Sequence, residues 1–140
     1  MTPEVGSTLA PLRIARIDAA SMKLWSKLLH DPNPIHLDRD AVRAMGLGDR
    51  LINQGPANLA CIISMLLQAL PDARLESLDV RYVDNAFEGD SVEASGTVRE
   101  IMPGPPSRIL CEVSLQAIGR GPVIQGSATL MLAGTVTTQV

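Results

Sequence analysis

The segment from His30 to Asp38, with the sequence HDPNPIHLD, brings histidines and carboxylates, residue types that suit proton transfer, close together in the chain. It holds both histidines of the protein and, between them, the carboxylate of Asp31. Carboxylates and imidazoles are common general acids and bases near neutral pH. If the side chains of Asp31 and His36 converge on one water molecule, they form an acid–base pair. This is our leading hypothesis for the chemistry of the chain.

Two prolines restrict how this segment can fold. Pro32 and Pro34 each lack a backbone donor, and each pushes the preceding residue towards extended geometry. On a continuous helix, positions 31 and 36 would point to different faces, because a helix turns about 100° per residue. We therefore expect an irregular, sharply bent loop in which Asp31 and His36 approach each other.

Composition limits the classes of function. The chain has 140 residues and a net charge of −3, with 46% hydrophobic but only 2% aromatic residues. It therefore offers neither a basic footprint nor stacking surfaces for nucleic acid. Neither a secretion signal nor an apolar run of the ~20 residues that cross a bilayer is visible. We predict a cytoplasmic domain that binds neither nucleic acid nor membrane, with Cys61 and Cys111 reduced.

The elements before the middle of the chain follow from hydrophobic periodicity. Leu12–Ile17 alternates between apolar and polar residues and predicts a short strand. Asp18 is placed to cap a helix over Ala19–Leu29. After the proline loop, a short helix begins at Asp38 or Asp40. These elements must hold the loop in position.

The second half of the chain changes in character. Pro56–Leu70 contains no Asp or Glu and is apolar almost all round, which predicts a helix buried on most sides. The alternating segments that follow, separated by Gly-rich and Pro-rich breaks, predict the strands Ala73–Val83, Ser91–Ile101, Arg108–Ile118 and Val123–Val136. The order predicts an α+β fold, in which one antiparallel sheet of about five strands wraps a single long helix.

The residues of the loop match a known motif. Asp31–Asp38, DPNPIHLD, resembles the D-x-N-P-x-H-x-D signature of the MaoC-like, (R)-specific enoyl-CoA hydratases. These proteins have the hotdog fold, a bent antiparallel sheet around a long central helix. Leu51–Pro56 resembles the family's glycine-ended turn before that helix, and Phe87–Val92 resembles its Gly-Asp turn between strands. The resemblance covers about residues 10–135 and implies a single hotdog domain over residues 1–140.

The resemblance implies a role for each matching residue. Asp31 and His36 match the pair that activates the water added to a trans-2-enoyl thioester. Gly55 matches the glycine whose backbone N–H binds the thioester carbonyl, and Asn33 matches the asparagine that braces the loop. The implied substrate is a coenzyme A thioester first and an acyl-carrier-protein thioester second. No metal or further cofactor is implied, and a homodimer or dimer-based oligomer is expected, with each site near the interface.

Two residues depart from the family pattern. Gln54 stands where many relatives have a histidine, and glutamine cannot titrate. Asn58 is a polar residue in the first turn of an apolar helix, where it either faces the pocket mouth or caps a backbone group. Both are predicted supporting residues of the site.

Two alternatives to a hydratase follow. Gln54 motivates the first, a non-catalytic acyl-thioester-binding module or the silent partner of a hetero-oligomeric hydratase. The second is a hotdog acyl-CoA thioesterase. It is disfavoured, because some hotdog thioesterases place a carboxylate on the central helix, and residues 56–70 contain none.

Overall fold

A computed structural model describes residues 2–133 of the chain. The three helices are α1, α2 and α3, over Ala19–Leu29, Arg39–Ala44 and Gly55–Ala69. The five strands β1 to β5 span Leu12–Ile14, Ala73–Tyr82, Val92–Met102, Arg108–Ala117 and Gly121–Leu132. The order predicted from the sequence is confirmed, and the cap at Asp18 is present, because its Oδ1 accepts from the Ser21 N–H at 2.6 Å.

The first strand is shorter than the predicted Leu12–Ile17. It pairs with β3 only as far as Ile14. Ile17 turns instead to the loop before β3, where its N–H donates to the Asp90 carbonyl at 2.9 Å and its carbonyl accepts from the Gly89 N–H at 2.7 Å. The alternation of Leu12–Ile17 thus reflects two different pairings, of which only the first is a strand ladder.

The last strand begins earlier than the predicted Val123–Val136, at Gly121. Pro122 was expected to break the chain, but it lies in β5, where the pairing with β4 is irregular beside Gln116. The pairing of β5 with β2 stops at Ile124, so the missing N–H of Pro122 interrupts no ladder on that side. Residues 134–136 of the predicted strand lie outside the described residues.

The sheet is antiparallel throughout, with the strand order β1-β3-β4-β5-β2. Alternate side chains of β3 and β4 are buried on one face: Val92, Ala94, Val98, Ile109, Cys111, Val113 and Leu115. α3 packs on the sheet, with Ile62, Met65 and Leu66 fully buried in the same cluster. Register shifts in three of the strand pairs bend the sheet. The hotdog arrangement of a sheet around a central helix is confirmed.

α3 is less enclosed than its apolar sequence predicted. The side chain of Leu67 is 46% exposed, and Cys61 and Ser64 are only half-buried. The sheet covers one side of the helix, and a groove runs along another. Within residues 2–133, no helix is long and apolar enough to cross a membrane.

Candidate active site

Side chains bonded to the backbone shape the loop over residues 30–38. α1 ends at His30, which is exposed and adopts a left-handed φ of 51°. Asp31 Oδ1 then accepts from the Asn33 N–H at 3.1 Å, and Asn33 Oδ1 accepts from the Ile35 N–H at 3.3 Å. These bonds lead into one turn of 3-10 helix over Pro34–His36, where only irregular loop was predicted. Asn33 thus caps that turn, and the bend brings Asp31 back towards His36.

The predicted acid–base pair is in direct contact. Asp31 Oδ2 and His36 Nε2 are 3.3 Å apart. His36 is 6% exposed as a residue, whereas the Asp31 side chain is 37% exposed. On its other side, the His36 ring approaches the Ile52 carbonyl oxygen, 2.6 Å from Nδ1. The carboxylate therefore lies on the solvent side of a buried imidazole.

The Ile52 carbonyl determines which ring nitrogen of His36 carries a proton. A carbonyl oxygen only accepts, so Nδ1 must carry a proton and donate it. In the neutral imidazole, Nε2 is then an acceptor that faces another acceptor, the Asp31 carboxylate. The 3.3 Å separation is an ion-pair contact when Nε2 is protonated, and it is slightly longer than a usual N–H···O hydrogen bond. The contact thus brings together a carboxylate and an imidazole, the two group types most often used as general acids and bases.

Gln54 is the last residue before α3, and Gly55 is the first residue of that helix. Gln54 is fully buried, and its Nε2 donates to the Met22 carbonyl at 2.8 Å and to Ser26 Oγ at 3.1 Å. Its Oε1 is buried with no hydrogen-bond partner among the described residues. Because the side chain turns to α1, it does not cap α3, and the Gly55 N–H lies in the first turn, where helix amides are free of intrahelical partners.

Two further contacts brace this turn. Asn58 is buried, and its Oδ1 accepts from Asn53 Nδ2 at 2.7 Å across the start of α3. The Tyr82 hydroxyl donates to the Gly55 carbonyl at 3.1 Å, and its ring lies beside Gly55. Asn58 therefore takes a third option, since it bonds a side chain rather than a backbone group.

Two depressions lie against different faces of α1. One, with a volume of about 610 Å³, is lined by Lys23, Lys27, His30 and Asp31. The other is a groove of about 390 Å³ along α3 and is lined by Trp25, Asn53, Ala57, Cys61 and Ser64. Asp31 thus opens on the first, and the start of α3 borders the second. Among the described residues, no hydrogen bond or ion pair joins Gly55 to Asp31 or His36. The segment that leads to Gly55 contacts His36 through the Ile52 carbonyl.

A charged cluster lies behind the Ile52 segment. Glu88 and Asp90, in the turn before β3, pair with Arg39 and with Arg50 and Arg120 respectively. The hydrogen bond from Arg39 holds the pKa of Glu88 below its usual range, although burial opposes this. Burial also acts to raise the pKa of Asp90, but the Phe87 N–H and the two guanidinium groups outweigh it and lower the pKa.

The sequence did not indicate the partners of these groups. The acceptor for His36 is a backbone carbonyl, which leaves no signal in side-chain types. Glu88 lies inside the Phe87–Val92 segment noted for its Gly-Asp turn, and that turn was the available signal. Tyr82, the sole tyrosine of the chain, falls inside the predicted strand Ala73–Val83, and its position there gives no sign of a contact with Gly55.

Metal binding receives no support from the side chains. Over residues 2–133, no group of three or more His, Cys, Asp or Glu side chains could hold a metal ion. That the chemistry needs no further cofactor stays a prediction.

Comparisons with known proteins bear on the family and the fold of the chain. The profile of the family described as "MaoC like domain" matches residues 3–135. A search of curated proteins finds no match. Among solved structures, the (R)-hydratase of A. caviae involved in PHA biosynthesis is 24% identical, with a TM-score of 0.84 over 94% of this chain and 98% of that one.

Two other solved structures are similar to this chain. A chain of the ChsH1-ChsH2 complex from Mycobacterium tuberculosis is 21% identical, with a TM-score of 0.82 over 95% of this chain and 100% of that one. The R-hydratase PhaJ1 from Pseudomonas aeruginosa is 22% identical, with a TM-score of 0.80 over 92% of this chain and 81% of that one. At these identities the likeness shows a shared fold.

Proposed function

Since this chain belongs to the MaoC-like domain family, we propose that it catalyses the reversible hydration of trans-2-enoyl thioesters to (R)-3-hydroxyacyl thioesters. Two of the similar structures are (R)-hydratases, which supports this reaction class. The observation that carries the proposal is the contact between Asp31 and His36, with His36 fixed through its Nδ1 by the Ile52 carbonyl. The pair combines a carboxylate with an imidazole in direct contact, and its carboxylate is exposed to solvent, as activation of a water molecule requires.

Hydration needs two proton transfers. The added water loses a proton, and the α-carbon of the substrate gains one. In its deprotonated form, the pair presents two acceptors, Asp31 Oδ2 and His36 Nε2, that take a proton from water. The proton then held between them is available for the α-carbon. Because Asp31 is the more exposed member, it meets the water from the solvent side.

The thioester oxygen becomes negative as water adds, which requires a donor. We assign this role to the Gly55 N–H at the start of α3, where the helix dipole also favours negative charge. Removal of such a donor typically costs ~3–4 kcal/mol of transition-state stabilisation. Pro56 follows and has no N–H, so Gly55 carries the first donor of the helix. Three further residues have a supporting role: they hold the loop over residues 30–38 and the start of α3 in place and do not take part in proton transfer. These residues are Asn33, Gln54 and Asn58.

The carrier of the acyl group is proposed to be coenzyme A first and an acyl-carrier protein second. Neither carrier calls for a metal or a further cofactor. The cytoplasmic location expected from the sequence is part of this proposal.

A homodimer or dimer-based oligomer is also proposed. β2 is an edge strand of the sheet, so within residues 2–133 no strand pairs with its outer side, where a second copy could pair. Tyr82, the last residue of that strand, is 51% exposed, and Val83, which follows it, is 44% exposed. Light scattering at micromolar concentration tests this, and a strictly monomeric species would contradict it.

The test of the reaction is the loss of ultraviolet absorbance of crotonyl-CoA when purified protein is added. Asp31→Asn is the matched variant, because an amide keeps an oxygen for the Asn33 N–H but cannot take up a proton. We expect its activity to fall by ~10²-fold or more, the usual worth of a general acid or base. Equal activity of both proteins would contradict the role of Asp31.

The second candidate is a non-catalytic thioester-binding module or the silent partner of a hetero-oligomeric hydratase. It is favoured by Gln54 and by a similar structure that was solved as a complex of two named proteins. Binding of crotonyl-CoA and of a longer enoyl-CoA without turnover of either would support it. Thioester hydrolysis is the third candidate and would release free thiol from acyl-CoA. The lack of Asp and Glu in α3 disfavours it.

A further inference from the structure

The position of His36 depends on how two segments lie against each other. One segment carries His36, and the other carries Ile52, whose carbonyl accepts from the ring. A backbone hydrogen bond from the Ile52 N–H to the Ile35 carbonyl, at 3.0 Å, also joins them. Neither segment runs in one of the five strands, and although Ile52 forms a single β-bridge with Phe87, no ladder among the described residues joins the two segments.

Glu88 bonds to both segments at once. Its Oε1 accepts from the Leu51 N–H at 3.0 Å and from Arg39 Nε at 2.6 Å, and its Oε2 accepts from Arg39 Nη2 at 2.7 Å. Leu51 directly precedes Ile52, and Arg39 begins α2 shortly after His36. The carboxylate therefore joins the two sides of the hydrogen bond between His36 and Ile52.

Glu88 is itself held firmly. Its side chain is only 15% exposed, so its ion pair with Arg39 is shielded from solvent on one side. Its N–H donates to the Leu51 carbonyl at 2.9 Å, and the neighbouring Ala86 carbonyl accepts from the Asn53 N–H at 2.7 Å. Two guanidinium groups also lie over the adjacent Phe87 ring. The turn that carries Glu88 is thus held in place by these contacts, and its carboxylate has a fixed position.

We propose that Glu88 is a positioning residue for His36. By bonding Arg39 and the Leu51 N–H together, it keeps the Ile52 carbonyl where it holds the Nδ1–H of His36, so that Nε2 faces Asp31. Any effect of Glu88 on turnover rests on the proposed hydratase function. The position of His36 does not, and it can be measured separately.

A matched control lies elsewhere on the sheet. Glu76 and Arg108 form a second two-pronged ion pair, with distances of 2.7 and 3.0 Å, between β2 and β4. The variants compared are Glu88→Ala and Glu76→Ala. Glu88→Gln serves in place of Glu88→Ala if that variant fails to fold by circular dichroism.

The first measurement is nitrogen-15 NMR of the His36 ring in a His30→Gln background, which leaves one histidine in the chain. In the parent protein we expect Nδ1 to carry the proton in the neutral ring and to exchange it slowly with solvent. Glu88→Ala is expected to speed that exchange by ~10-fold or more, the factor for loss of a hydrogen bond to a charged group. Glu76→Ala should leave it unchanged. A folded Glu88 variant with unchanged exchange would overturn the proposal.

The second measurement is turnover of the enoyl thioester. We expect Glu88→Ala to lower kcat by roughly tenfold with little change in KM, because misplacing a reacting group slows the chemical step. If the parent protein turns over no thioester, the hydratase proposal fails, and the NMR comparison still decides the role of Glu88. If turnover is normal in Glu88→Ala, the positioning role is wrong and the hydratase proposal stands.

Discussion

The sheet and the loop segment over residues 30–54 are held by different kinds of bonds. Long backbone ladders join β3 to β4, β4 to β5, and β5 to β2. Alternating aliphatic side chains of the sheet cover α3. In the loop segment, single polar side chains bond the backbone: Asp31, Asn33 and Asp38 within it, and Glu88 from outside. Ladders depend little on which side chain is present, whereas each loop bond depends on one residue. We therefore expect substitutions in the sheet to act mainly on stability and those in the loop segment mainly on activity.

The largest effect on stability is expected at Gly126, in the sheet. A Cβ there would press on the Asp79 carbonyl and lie 2.8 Å from the Cα of Val80, on the paired strand β2. Backbone cannot yield as a flexible side chain can, so Gly126→Ala should lower the free energy of unfolding by ~1–3 kcal/mol or more. Urea denaturation measures this. An unchanged denaturation midpoint would contradict the expectation that substitutions in the sheet act mainly on stability.

Gly55→Ala is the matched substitution at the site. A Cβ there would lie 3.5 Å from the Tyr82 ring, an ordinary contact, and Gly55 has no positive φ to lose. We expect a change in unfolding free energy within ~0.5 kcal/mol. Turnover should fall roughly tenfold or more, because the methyl group crowds the N–H that receives the thioester oxygen. Full activity in this variant would argue against the role assigned to Gly55.

Lowering the pH should weaken the contacts of Glu88, whereas the packing of the aliphatic core does not depend on pH directly. The pKa of Glu88 is lowered in the folded protein, chiefly by Arg39, so its stabilisation is present above its ordinary pKa of 4.5 and is lost as the pH falls through the lower folded value. Glu88→Gln should thus cost of the order of 1 kcal/mol at pH 7 and much less at pH 3. Urea denaturation at the two pH values tests this. An equal cost at both would show that the charge contributes nothing.

The smallest effect is expected at an exposed pair of the sheet. Arg99 Nε lies 3.0 Å from Glu112 Oε2, with both side chains more than half exposed. Arg99→Ala should change the free energy of unfolding by no more than ~0.5 kcal/mol. A loss as large as that at Gly126, measured by the same denaturation, would mean that side-chain bonds matter in the sheet as they do in the loop segment.

The same contrast explains what could be predicted from sequence. The strands were predicted because alternation persists along each of them. The approach of Asp31 to His36 followed from two prolines that exclude a continuous α-helix between them. Three features were not predictable, because the residue types do not show which group each side chain meets in the folded chain. Gln54 turns to a carbonyl on α1. Asn58 pairs with Asn53. The contact between Glu88 and Arg39 joins residues 49 positions apart.

Trp25 gives the molecule an optical property that follows from its place in the groove. It is the only tryptophan of the chain, and it lines the groove along α3, on a different face of α1 from the depression beside Asp31. Intrinsic fluorescence excited at the red edge of absorption therefore arises from a single, known position. A bound acyl chain that enters the groove should change this emission without any label. A ligand confined to the depression beside Asp31 has no such reporter, so the protein's own fluorescence distinguishes the two binding modes.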